Sequence, residues 1–263
     1  MPPSFSYAES LFGGLRVGNM IRYCMAILAF ALVALAPMGT AHASRVSPMS
    51  VDLEPVGRGS VARIQFTNTA DRDFPVEVRA FRGEITEDGQ LELEAADEDF
   101  LLFPSQLVVA PLGEQVFRVQ YVGNPDLTEA QVYYLSVRQL PIELDEGAPQ
   151  VQVVVNFNVF INVEPDGTVV APRVGAIEAA EGEDSTGIAV QVVNDGTGML
   201  LAGKREWAVS GRTLSGETFS NTYNPAEMGI KIGVGIVAPG KARRFYIPLE
   251  GEIDASSVTV DLK

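Results

Sequence analysis

The stretch PQVQVVVNFNVFINVEP, residues 149–165, decides the fold. Val151, Val153, Val155, Phe157, Val159 and Ile161 recur at every second position, so an extended backbone turns all six to one face. The other face is mixed: Gln152, Val154, Asn156, Asn158, Phe160 and Asn162. Such a run is at least twice the usual strand of ~5–6 residues. Two readings stand side by side, a long core strand of a β-sandwich and a strand whose free edge takes a partner.

The sequence around this stretch is strand after strand. Upstream, SVARIQFTN (60–68), FPVEVRAFRG (74–83), FLLFPSQLVVAPLGEQVFRVQYVG (100–123) and VYYLSVRQLPIEL (132–144) alternate, with a polar hairpin at 85–95 and a turn at Pro111-Leu112-Gly113. No helical period survives a whole window there, and a single turn near Leu127 to Gln131 is the only helix expected in that half. Downstream, Glu164-Pro165-Asp166-Gly167 is the strongest turn signal and the expected domain boundary. Beyond it come GIAVQVVNDGTG (187–198), LLAGKREWAVSG (200–211), GETFSNTY (216–223), GIKIGVGIVAPGKARRFYIPLEG (229–251) and VTVDLK (258–263), with hairpin turns read at Asn194-Asp195-Gly196 and Ala238-Pro239-Gly240. Strands spaced by turn signals every ~8–12 residues predict an all-β chain of sandwiches, one over residues 44–165 and a smaller one over 166–263. Trp207 is read as a core side chain of the second.

Residues 1–43 read as a signal peptide. Arg16 and Arg22 form a basic start, MAILAFALVALAP (25–37) is an apolar run, and Ala41-His42-Ala43 offers small residues before a cut at Ser44. Met20 is an alternative start, because MIRYCMAILAF is a complete signal opening by itself. An uncleaved anchor is the competing reading, and the apolar run falls short of the ~20 residues that a span requires. Cys24 lacks the approach of a lipoprotein site.

Loss of the leader removes the chain's single Cys (Cys24) and single His (His42). What remains has no disulfide, thiol nucleophile, imidazole base or Cys/His metal site. Its acids, among them Glu87, Asp88, Glu181, Glu183 and Asp184, are scattered through turns, and no phosphate loop, HExxH or GxSxG occurs. No catalytic residue, metal or cofactor is expected. The formal charge is −15 for the whole chain, and it becomes about −16 without Arg16, Arg22 and Glu9, a field that repels nucleic acid and anionic membrane.

Several motifs, in order, carry a resemblance. They are Asn68 closing a strand, Phe74-Pro75-Val76 opening the next, Phe103-Pro104-Ser105, Ala110-Pro111-Leu112-Gly113, Phe117-Arg118-Val119, Tyr133-Tyr134-Leu135, Leu140-Pro141, and the long strand ending at Pro165. Over residues 45–165, and more loosely over 166–263, the chain resembles the periplasmic pilus-assembly chaperones of the chaperone–usher pathway. The resemblance implies two immunoglobulin-like β-sandwich domains in an L or boomerang arrangement and a periplasmic location. It implies donation of the long strand to a pilus or surface-fibre subunit that lacks a strand, and delivery to an outer-membrane usher. The matching donor positions are Val151, Val153, Val155 and Phe157. Where the family carries a basic pair that anchors the subunit's carboxylate, this chain has Ser50 and Phe160, and where it carries an interdomain ion pair, this chain has Glu164 and Ala130. Arg45, Arg138 and Arg173 are the candidate replacement anchors.

An exported structural or adhesive module of two immunoglobulin-like domains is the alternative function, and an exported carbohydrate-processing or peptidase-like enzyme is a third. The leader generates the first prediction: intact-mass analysis of the secreted chain should give a species starting at Ser44, and a species that retains Cys24 would restore the anchor reading.

Overall fold

Alternation along the chain becomes pairing between strands in two sandwiches with separate cores. The computed structural model describes residues 44–140, 154–182 and 185–263, and Ala43–Lys263 form one compact unit. The first sandwich has a four-stranded sheet in the order β1 (Arg45–Ser47), β3 (Val61–Thr67), β8 (Glu114–Tyr121), β6 (Phe100–Phe103). Against it lies a six-stranded sheet in the order β2 (Ser50–Leu53), β10 (Asn156–Val163), β9 (Gln131–Gln139), β4 (Phe74–Ile85), β5 (Leu91–Ala95), with β7 (Gln106–Val109) also on β4. Two of the chain's crossings between the sheets, β1 to β2 and β6 to β7, fall at prolines, Pro48 and Pro104. A proline cannot donate to a ladder, so pairing breaks most easily there.

Period-two burial is clearest in β4, where Phe74, Val76, Val78 and Ala80 are buried and the residues between them are not. These meet Ile64 and Phe66 of β3, Phe117 and Val119 of β8, Tyr133, Leu135 and Val137 of β9, and Val159, Ile161 and Val163 of β10 in one core. The sequence reading of 100–123 as two strands becomes three, because Pro104 splits the first. Leu112 turns the chain with a positive φ of 53°. No helix forms between Leu127 and Gln131, where Leu127 instead packs against the core.

The second sandwich pairs β11 (Pro172–Glu181), β12 (Thr186–Asn194) and β17 (Ala242–Pro248) in one sheet and β15 (Thr218–Tyr223), β14 (Trp207–Thr213) and β18 (Ile253–Leu262) in another. A two-stranded pair, β13 (Leu200–Leu201) with β16 (Ile236–Val237), closes one end. Trp207 is fully buried, edge-on to Phe245, and its indole N–H donates to the Ala202 carbonyl at 2.8 Å. The strand read from 229 up to the turn at Ala238-Pro239-Gly240 starts inside helix α1 (Pro225–Ile232). Asn224 caps α1 through the N–H groups of Ala226 and Glu227 while Glu227 returns to the Asn224 N–H, and Pro225 takes the first turn, where a missing N–H costs nothing.

Neither expected hairpin turn in this half joins neighbouring strands: β12 hands on to β13, which pairs with β16, and β16 precedes β17 in a different sheet. The reason lies in a buried asparagine that both sandwiches use. Asn68, directly after β3, directs its amide nitrogen to the carbonyls of Arg72, Val109 and Ala110 and accepts from the Ala70 N–H. Asn194, at the end of β12, directs its amide nitrogen to Gly198 and Val237 and accepts from Gly196 and Ala171. Both side chains are fully buried, so each substitutes for backbone partners that the departing chain would otherwise lack. A buried polar group left without a partner costs ~1–3 kcal/mol, and Asn68→Ala or Asn194→Ala should each lower stability by ~2–4 kcal/mol in urea unfolding.

Candidate functional site

The long strand begins, among the described residues, at Asn156 and ends at Val163. Val151 and Val153, two of the expected donor positions, lie outside the described residues. Val155 and Phe157 are half-buried, and Phe157 sits edge-on to Phe66 with ring centroids 6.1 Å apart. From Val159 to Val163 the inward side chains are fully buried. The face is thus core at its C-terminal end and becomes progressively exposed towards Val155.

Pairing along β10 is asymmetric. On one side β9 runs antiparallel from Val163↔Gln131 to Asn156↔Arg138. On the other, β2 runs parallel and matches only Phe160–Val163, from Phe160↔Ser50 to Val163↔Leu53. The N–H of Gln139 donates to the Val155 carbonyl, and that of Phe160 donates to the Met49 carbonyl, each at 3.0 Å. Backbone groups alternate sides along a strand, so those of Asn156 and Asn158 point towards the side that β2 does not reach. Among the described residues no strand pairs with that edge. On the outer face of the sheet a 160 Å³ depression runs across β10, β9, β4 and β5, lined by Glu77, Arg79, Phe81, Leu93, Ser136, Arg138, Asn156 and Asn158. Ser136 donates to the Asn156 side-chain oxygen at 2.7 Å.

Ser50 and Phe160 are direct cross-strand partners. Ser50 is exposed. Phe160 stacks edge-on against Tyr134 at 5.8 Å and joins an apolar cluster that spans the two sandwiches, in which Ala130, Val132 and Tyr134 meet Met199, Leu201, Ile236 and Ala238. Ala130 donates its backbone N–H to the Thr197 carbonyl at 2.8 Å. Glu164 accepts from the Asn162 amide at 2.7 Å and from the Thr168 hydroxyl. Sequence reasoning did not anticipate that the hairpin between β4 and β5 reaches the second sandwich. Glu84 pairs with Lys241, the Glu87 carboxylate takes Gln191 and Arg244, and the Glu87 carbonyl accepts the Arg244 N–H at 2.7 Å.

The candidate replacement anchors divide. Arg138 is held by Glu77 at 2.7 Å, and this bond with that from Gln106 keeps the Glu77 carboxyl below the usual carboxylate range. Arg173 is held by Asp195 at 2.5 and 3.1 Å. Arg45 is exposed on β1. Arg243, half-buried over the Phe245 ring, donates to the Ile236 carbonyl at 3.2 Å, and burial pulls its pKa below the ordinary arginine value. Among the described residues, no group of three or more His, Cys, Asp or Glu side chains is arranged to hold a metal ion, and no helix is long and apolar enough to cross a membrane.

No protein-family model matches the sequence, and no curated protein matches it. The fold does have solved counterparts. A chain from a structure described as a chaperone–tip adhesin complex vital for activation of CFA/I fimbriae biogenesis matches with a TM-score of 0.52 at 11% identity, over 84% of this chain and 98% of that one. The class 5 fimbriae chaperone CfaA matches with a TM-score of 0.52 at 12% identity, over 84% of this chain and 99% of CfaA. At that identity the likeness is one of backbone, and it extends through both sandwiches: this chain has the two-domain, immunoglobulin-like β-sandwich fold of a fimbrial chaperone.

Proposed function

We propose that the protein is a periplasmic chaperone for pilus or surface-fibre subunits, that it donates the strand leading into β10, and that it passes its client to an outer-membrane usher. The observation that carries this reading is the half-open edge of β10. A subunit lacking a strand has an unpaired edge and an apolar groove, and an extended segment with alternating apolar side chains satisfies both at once. Val151, Val153 and Val155 continue the period of the buried Val159 and Ile161, so the face that fills the first core would continue into the client. The exported leader over residues 1–43 and a domain boundary near Glu164–Gly167 belong to the same reading, as does a mechanism that is binding rather than catalysis.

Val153→Asp separates donation from core packing. A carboxylate inserted in an apolar groove loses its hydration without gaining a partner, whereas it keeps that hydration on a free edge. The variant should retain the circular dichroism and unfolding midpoint of the parent while losing retention of subunits encoded beside the gene and co-expressed with it. Loss of the fold in Val153→Asp alone would mean that this segment is core and would end the donor reading.

The second expectation concerns the client's C-terminus. A charge-assisted hydrogen bond to a carboxylate contributes ~1.5–3 kcal/mol, but at the matching positions Ser50 offers only a neutral hydroxyl and Phe160 faces Tyr134. Amidating the client's C-terminus should therefore change affinity by less than about tenfold, or ~1.4 kcal/mol. Titration of free and blocked clients against the parent, Arg45→Ala, Arg138→Ala and Arg173→Ala measures this. A larger loss, reproduced by one arginine variant, would identify a relocated anchor.

A further inference from the structure

The two main sheets of the second sandwich have four strand edges between them, and three are guarded. β11 carries Pro172, Arg173, Glu178 and Glu181 and lies against β18, which carries Asp254 and Asp261. β17 carries Arg243, Arg244 and Pro248, and the β4–β5 hairpin takes its Arg244 N–H through the Glu87 carbonyl. β15 reads Thr-Phe-Ser-Asn-Thr-Tyr, with no charge and no proline, and among the described residues only β14 pairs with it. Charge, proline and cover are what keep an edge from adding a strand, so β15 is the open one.

The phase of pairing shows which backbone groups face outward. Thr213 donates its N–H to the Glu217 carbonyl, so this pair is hydrogen-bonded, and Gly211↔Phe219, Val209↔Asn221 and Trp207↔Tyr223 follow it at every second position. The N–H and C=O groups of Thr218, Ser220 and Thr222 therefore point to the free side. The far side of β14 has the matching phase, because Arg212 turns its N–H to the Ser257 hydroxyl of β18.

Behind this edge the two sheets part. A cleft of 560 Å³ opens between β15 and the end of β17, with Phe219, Asn221 and Tyr223 on one wall and Pro248 and Leu249 on the other. Its ends differ in charge. Glu217 and Glu250 lie beside the start of β15 and make no ion pair among the described residues. At the other end Lys231 of α1 sits over the Tyr223 ring, 4.8 Å from its centroid.

We propose that β15 accepts an extended segment of a partner polypeptide as an antiparallel strand, with alternate apolar side chains entering the cleft against Phe219 and Leu249. A basic residue at the segment's C-terminal end meets Glu217 and Glu250, and an acidic one at its N-terminal end meets Lys231. Charge selects occupant and direction together, because the same segment added parallel would set like charges against each other. A second copy of the chain would bring another net charge of −15 to the contact. The site lies on the second sandwich and does not depend on strand donation by the first.

The test uses the full secreted chain, isotope-labelled, titrated with the blocked peptide Glu-Thr-Val-Thr-Val-Thr-Lys and with the same residues in reverse order. Strand addition has an alternating signature: the amides of Thr218, Ser220 and Thr222 should gain protection from hydrogen exchange, while those of Phe219, Asn221 and Tyr223, already turned to β14, keep theirs. The reversed peptide has the same composition but meets like charges, so it should bind at least about fivefold more weakly. Ser220→Pro removes an outward donor that β14 does not use and should weaken the first peptide at least about tenfold. Glu217→Gln/Glu250→Gln leaves the backbone edge intact and should weaken it about threefold. Both variants should keep the circular dichroism of the parent, and if the proline variant does not, the glutamine variant and the exchange pattern decide. No binding at millimolar peptide, protection that does not alternate, equal affinity for the two peptides, or shifts confined to the edge of β10 would overturn the proposal. So would protection of Thr218, Ser220 and Thr222 that rises with protein concentration in the absence of peptide, which would make β15 a contact between copies.

Discussion

The parallel pairing between β2 and β10 stops halfway along β10, and much of the first sandwich follows from that. Only Phe160–Val163 are matched by β2, so among the described residues the same strand is an interior strand at one end and an edge at the other. Exposed edges are templates for adding another strand, and proteins usually blunt them. Asn156 and Asn158 leave this one polar but unblocked, with their backbone groups on the open side. The inward side chains change over the same interval, from fully buried Val159 to half-buried Phe157 and Val155. One strand therefore anchors its own domain at one end and, among the described residues, leaves its other end unpaired on one side.

Phe160 also marks how the two sandwiches are joined. Its aromatic contact with Tyr134 extends into the apolar cluster shared with Met199, Leu201 and Ile236. Apolar burial of this kind is not screened by salt, and it combines with two backbone hydrogen bonds, Ala130 to Thr197 and Arg244 to Glu87. The surrounding ion pairs of Glu84, Glu87 and Asp88 with Lys241 and Arg244 are largely solvent-exposed. Pairs of that kind contribute ~0–1 kcal/mol each, so they orient the hairpin more than they hold it. The join between the sandwiches is thus carried by an aromatic ring, an alanine and backbone hydrogen bonds.

The paired asparagines show how one solution serves both sandwiches. Each strand leaves its sheet abruptly, and each departure exposes carbonyls that no strand can reach. A side-chain amide has both donor and acceptor capacity, and in Asn68 and Asn194 it is used from a fully buried position. The equivalence was invisible in the text, because Asn194-Asp195-Gly196 has the composition of a hairpin turn and Asn68 is followed by no glycine. The Asn224-Pro225-x-Glu227 signal that starts α1 was present but hidden beneath the apolar run that follows it, in which glycines at 229 and 233 interrupt any helical period.

By itself the sequence determined the all-β class, two successive sandwiches, the inward face of β10 and the core role of Trp207. These are local properties: alternation, turn composition and residue volume act over a few neighbouring residues. Only the tertiary structure decided where β2 stops along β10, which sheet each half of the 100–109 segment joins, that the hairpin at 86–90 contacts Arg244, and that Phe219 and Leu249 border one cleft. Each of these depends on register between segments distant in the chain. A shift of a single residue in that register would turn every side chain of a strand to its other face, and only the packing of the whole core excludes such a shift.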